Sequence, residues 1–126
     1  MTESITVLPG HEPDQRTAHL LELLAPLGPV SARRMFGGTG LFLRGLMFGL
    51  IAEGELFFKV GPANQPDYEA AGEAPFSYET RTGTNTIRSY WRCPPDLLDA
   101  PDTFREWARR AVDASLAASR TKPKKR

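Results

Sequence analysis

The chain has 126 residues, 40% hydrophobic and 10% aromatic, which fits one folded domain and is too apolar for a disordered segment. No apolar run approaches the ~20 residues that span a bilayer, Met1-Thr2-Glu3-Ser4 lacks the layout of a signal peptide, and the single cysteine, Cys93, excludes an intramolecular disulfide; a soluble, cytoplasmic protein is expected. Sixteen bases and fifteen acids give +1 overall, yet five bases lie from Arg120 onward, so residues 1–119 set eleven bases against fifteen acids, net −4, and argue against a duplex-binding surface.

Residues 1–12 read as a flexible leader broken at Pro9-Gly10, residues 13–119 as the domain, and residues 120–126 as a disordered basic tail. A first helix is expected from about Pro13 to Ala25. Pro13 suits a first turn, Asp14 suits the positive helix end, and Leu20, Leu23, Leu24 and Leu27 recur at helical spacing. Pro26, Gly28 and Pro29 end it.

Short strands follow at Val30–Phe36, Leu41–Leu43, Leu46–Ala52 and Glu55–Val60. Arg44-Gly45 and Glu53-Gly54 stand where two-residue hairpin turns belong, so the run is an antiparallel meander. Gly37-Gly38-Thr39-Gly40 reads as a reversal or bulge with at least one glycine at positive φ. Residues 46–52 are apolar on both faces, which predicts a central strand covered on both sides. A short helix at about Pro66–Ala71 stops at Gly72.

A second hairpin, 75–80 and 85–92, turns at Thr82-Gly83-Thr84, with Ile87, Ser89 and Trp91 on one face and Arg88, Tyr90 and Arg92 on the other. The last helix begins at Pro101-Asp102 and carries Phe104, Trp107, Ala108, Ala111, Val112 and Ser115 on one stripe, with Glu106 and Arg110 spaced to pair. The fold class expected is α+β: an antiparallel sheet, meander plus hairpin, flanked by an N-terminal and a C-terminal helix.

The residues spell out little chemistry. Gly38-Thr39-Gly40 is followed by Leu43 where a dinucleotide fingerprint needs a third glycine, and Gly45-Leu46-Met47 fails the P-loop pattern. His11 and His19 are the only histidines, and no Cys-x-x-Cys exists, so no metal site is expected. Cys93 precedes Pro94-Pro95 without a base nearby in sequence and reads as a small buried hydrophobe. Glu53 and Glu55 flank a turn, and Asp96, Asp99 and Asp102 read as helix-start residues. No catalytic residue, cofactor or metal ligand is assigned.

Two basic groups qualify as contact sites. Arg33, Arg34, Lys59, Arg88 and Arg92 would form a strip for a partner or anion if their strands adjoin, with Phe57, Tyr78 and Tyr90 as stacking faces. Glu55, Glu69 and Glu79 would balance such a face. Lys122, Lys124, Lys125 and Arg126 form a polybasic tail suited to weak, sequence-independent nucleic-acid contact.

Arg34-Met35-Phe36-Gly37-Gly38-Thr39-Gly40-Leu41-Phe42, Gly45–Ile51 and Leu56-Phe57-Phe58-Lys59-Val60 resemble the opening blocks of the N-terminal domain of the TfoX/Sxy competence regulators. Gly72 with Pro75–Tyr78, Ser89-Tyr90-Trp91 with Pro94, and Leu97, Trp107 and Ala111 resemble its later blocks, in the same order. The resemblance implies a bacterial α+β domain with an antiparallel sheet flanked by helices. It also implies a setting: the full-length regulators add a second, helical domain and are transcriptional co-regulators of DNA-uptake genes that act with the cyclic-AMP receptor protein. A departure from them is expected here, with only a short basic tail read after the first domain. The expectation is a non-enzymatic regulatory or protein-binding module without the C-terminal domain. Its expected partner is another protein, of the transcription machinery; no membrane contact is expected.

Overall fold

The computed structural model describes residues 6–7, 15–35 and 37–121. Its elements are β1 (Thr6–Val7), α1 (Gln15–Leu24), β2 (Val30–Met35), β3 (Gly38–Leu43), β4 (Leu46–Ala52), β5 (Glu55–Lys59), α2 (Gln65–Ala70), β6 (Pro75–Thr80), β7 (Gly83–Arg92) and α3 (Pro101–Thr121). The seven strands form one sheet in the order β1-β2-β3-β4-β5-β7-β6. Strands β2 to β7 pair antiparallel, so the α+β architecture expected from the sequence is the one observed.

Turn chemistry sets the meander. Leu43 pairs with Leu46 around Arg44-Gly45, and Ala52 with Glu55 around Glu53-Gly54. Both central residues of each turn have positive φ, 52° and 83° in the first and 51° and 80° in the second. That is the type I′ turn, whose twist matches the flanking strands and whose second position favours glycine.

All three helices feed one core. Leu20, Leu21 and Leu24 of α1, Tyr68 of α2 and Phe104, Ala108 and Ala111 of α3 join Leu41, Phe48, Phe58 and Trp91 of the sheet in a single buried cluster. Phe58 lies 5.6 Å from Phe104 and 6.3 Å from Phe48 between ring centroids, and Tyr68 meets Trp107 edge-on at 4.7 Å. The α3 stripe is as expected, with Trp107 and Val112 half-buried at its margin.

Several expectations are corrected. Thr6–Val7, read as leader, pairs parallel with Ser31 and Ala32, because α1 provides the crossover that a parallel edge strand needs. The other leader residues, His11 among them, and the proposed helix start at Pro13-Asp14 lie outside the described residues. Leu21, missed in the first stripe, is buried. Gly37 has positive φ, 78°, but Gly38 and Gly40 belong to β3 and not to a loop. Helix α3 continues to Thr121, so Arg120 is helical, where a cation suits the negative helix end. Lys122, Lys124, Lys125 and Arg126 lie outside the described residues.

Two further corrections bear on function. A register shift between Pro75 and Phe76 pairs Pro75 with Trp91 but Phe76 with Ile87. Three extra residues in β7, Arg88 to Tyr90, an odd number, turn Ile87 onto the face of Phe76 and away from that of Trp91. Strand β4 is central as expected, but no helix covers its second face among the described residues.

Phe57 and Phe58 are adjacent in sequence and both buried, yet only Phe58 belongs to the core cluster. Phe58→Ala is therefore expected to cost about 3–5 kcal/mol and Phe57→Ala clearly less. Urea unfolding of both variants checks this, and equal losses would contradict the one-sided core.

An uncovered sheet face as candidate functional site

The register builds this face residue by residue. Residues directly opposite in antiparallel strands share a face. Arg33 pairs with Gly40, Gly40 with Leu50, Leu50 with Phe57, and Phe57 with Arg92, giving one row across five strands. One step along, Ser31 pairs with Phe42 and Phe42 with Met47, while Lys59 pairs with Tyr90. Phe76 joins through its edge-on contact with Phe57 at 4.9 Å, and Tyr78 stacks on Phe76 at 5.8 Å. Met35, Phe42, Met47, Leu50 and Phe76 are half-buried and stand outside the core cluster.

Gly40 makes the floor. A Cβ there would lie 2.8 Å from the sulfur of Met35, 2.9 Å from the Phe42 ring and 3.3 Å from the sulfur of Met47. Its missing side chain lets two thioethers and a ring lie flat on the sheet. Methionine sulfur packs well against ring edges and adapts to varied neighbours.

The charges on this face divide into two groups. Arg92 is committed, to Glu55 at 3.2 Å and Glu73 at 3.0 Å. Arg33 lies over the Phe42 ring at 4.5 Å and Lys59 over the Tyr90 ring at 5.3 Å. Among the described residues neither has a carboxylate within ion-pair distance. Burial also holds the Lys59 ammonium below the ordinary lysine value.

The five residues singled out from the sequence are thus only partly brought together. Arg33, Lys59 and Arg92 share the uncovered face. Arg34 alternates to the other side of β2. Arg88 borders a separate hollow with Gln65 and Glu69 of α2. Of the balancing acids, Glu55 does pair on this face, whereas Glu69 accepts a hydrogen bond from Gln65 and Glu79 one from Thr84. Of the stacking rings, Phe57 is buried, Tyr78 is exposed, and Tyr90 lies under Lys59 with its hydroxyl donating to the Met47 carbonyl at 2.9 Å. Sequence reasoning missed Met35, Phe42, Met47 and Leu50. The signal was present in the two-sided apolarity of β4.

The other candidates are ordinary. His19 is exposed on α1. No group of three or more His, Cys, Asp or Glu able to hold a metal occurs among the described residues, and no described helix is long and apolar enough to cross a membrane. Cys93 is buried, and that burial, followed by the nearby Glu73 charge, pushes its thiol up to about 12. Such a thiol is not a thiolate nucleophile near neutrality.

Helices massed on one side of a mixed-edge antiparallel sheet, with a largely apolar opposite face among the described residues, define a small α+β domain. The sequence model of the TfoX N-terminal domain matches residues 22–115, and the chain belongs to that family. It is also 33% identical over 64 residues to the DNA transformation protein TfoX1 of Aliivibrio fischeri, a match covering 51% of this chain and 31% of that protein. The chain therefore matches only about a third of that relative's length.

Burial pushes the Tyr90 hydroxyl to about 12 as well. Both groups hold their protons more tightly folded than unfolded, where they titrate near ~8.5 for Cys and ~10 for Tyr. Their contribution to stability is then complete below about pH 8.5 and declines as pH rises toward 12. Urea midpoints measured from pH 7 to about pH 10.5 should fall, and Cys93→Ala should remove the part of the fall that begins first. A flat profile would contradict the burial of these groups.

Proposed function

We propose that this chain is a regulatory protein-binding module without catalytic chemistry, and that it binds through the uncovered face of its sheet. The observation that carries the reading is β4. Its residues 46–52 are apolar on both sides, a pattern found where a strand is covered twice. Among the described residues the fold covers it once. Met47 and Leu50 stay half-buried beside Phe42 and Phe57. Contiguous apolar surface of this kind, rimmed by charge, is typical of a protein interface.

Family membership supports a module that acts through partners. The relative is a DNA transformation protein, and a role in that process for this chain would rest on the portion the two share. A partner in the transcription machinery fits that setting.

A photo-crosslinking amino acid installed at Met47, compared with one at the exposed Arg109 of α3, tests the reading in the host cell. A discrete protein adduct at Met47, absent at Arg109, is the expected result. Equal adducts at both sites, or none at Met47, would overturn it.

A second reading is weak nucleic-acid binding. It is favoured by the five bases from Arg120 onward against the net −4 of residues 1–119. Any such affinity should be indifferent to sequence, should fall steeply with salt, and should be mostly lost when residues 120–126 are deleted. Fluorescence anisotropy at low salt reads this. Binding unchanged by the deletion would move the site to the folded domain.

A further inference from the structure

The uncovered face carries its own specification of a partner, and this inference rests on the protein-docking reading above. Apolar residues occupy its middle: Gly40, Phe42, Met47, Leu50 and Phe57. Two of its cations, Arg33 on β2 and Lys59 on β5, have no carboxylate among the described residues and stand on opposite sides of that middle, three strands and two residues apart in register. At ordinary strand spacing their backbones are about 16 Å apart. The carboxylates nearby are used, since Glu55 and Glu73 both pair with Arg92.

We propose that this face docks an acidic amphipathic segment of a protein partner, with aliphatic or aromatic side chains on the Met35–Phe42–Met47–Leu50 floor and carboxylates at Arg33 and Lys59. Charge complementarity selects this occupant. A second copy would bring the same two cations onto the same face. Single-stranded nucleic acid needs free ring faces for stacking, but Phe42 and Tyr90 are each capped by a cation and Phe57 is buried.

The probe is a fluorescent synthetic peptide alternating Leu or Phe with Asp, compared with the same peptide carrying Asn or Lys in place of Asp. The full chain is titrated by anisotropy, as are the variants Arg33→Glu/Lys59→Glu and Met47→Asp, each checked for fold by circular dichroism. Two surface ion pairs should favour the Asp peptide over the Asn peptide by about tenfold. The double charge reversal should abolish that preference and transfer it to the Lys peptide. Met47→Asp should weaken every peptide that binds.

Equal binding of Asp and Asn peptides would overturn the proposed chemistry while leaving protein docking in place. So would no peptide binding at all if crosslinking from Met47 still yields a protein adduct; loss of both would overturn the docking reading itself. A concentration-dependent dimer abolished by Met47→Asp, or a single-stranded oligonucleotide that displaces the Asp peptide, would assign the face to another occupant and refute the inference.

Discussion

The packing of α3 on the sheet through Phe104 and Phe58 governs the rest of this structure. Phe104 is fully buried, Phe58 bridges it to Phe48, and α1 closes the same cluster with three leucines. Long apolar helix faces are the costliest surfaces to leave wet, so both long helices go to one side. Helix α2, six residues long, adds Tyr68 to that side, between Trp91 and Trp107. The supply of apolar helix among the described residues is then spent. Among the described residues the second face of the sheet is left to side chains that shield one another: thioethers over Gly40, rings edge-to-face, and cationic groups laid over rings.

Electrostatics follow from the same asymmetry. On α3 three arginines find carboxylates, as Arg92 does at the edge of the uncovered face. Arg105 meets Asp102 at 3.3 Å, Arg109 meets Glu106 at 3.5 Å, and Arg110 meets both Asp67 at 2.6 Å and Glu106 at 3.4 Å. Such exposed pairs contribute little stability each; their consequence is that these cations are occupied. On the uncovered face Arg33 and Lys59 meet ring faces instead. A cation on a ring keeps hydrogen-bond capacity for a further acceptor, because the π face occupies none of its N–H donors.

Much of this was readable from the residues. The α3 stripe has the 3.6-residue period over about three turns, Phe104 to Ser115, and neither packing nor capping contradicts it. The two Xaa-Gly turns dictated the meander, since their geometry admits only antiparallel neighbours. What escaped was non-local. Thr6–Val7 has no strand signal by itself and exists as β1 because β2 offers an edge. The bulge that turns Ile87 is set by how β6 meets β7, not by alternation within β7. The five basic residues could not be sorted by face until the register was known. The clearest hint of the candidate site, apolarity on both sides of residues 46–52, was legible; which side would stay uncovered was not.

The Met47 carbonyl shows how the two faces are kept in register with each other. A register shift between Leu41 and Phe42 puts Met47 opposite Phe42 but Gly49 opposite Leu41, so the ladder is interrupted beside Met47. Interruption of the ladder leaves a carbonyl available for side-chain donors. Ser115, buried on α3, donates its hydroxyl to it, and Tyr90 of the uncovered face donates to it as well. A buried hydroxyl needs such a partner, so the axial position of α3 on the sheet is tied to the bulge. Tyr90 is tied to the same atom and carries Lys59 on its ring. The cation on the uncovered face is therefore positioned, through one backbone oxygen, by the helix packed on the opposite side.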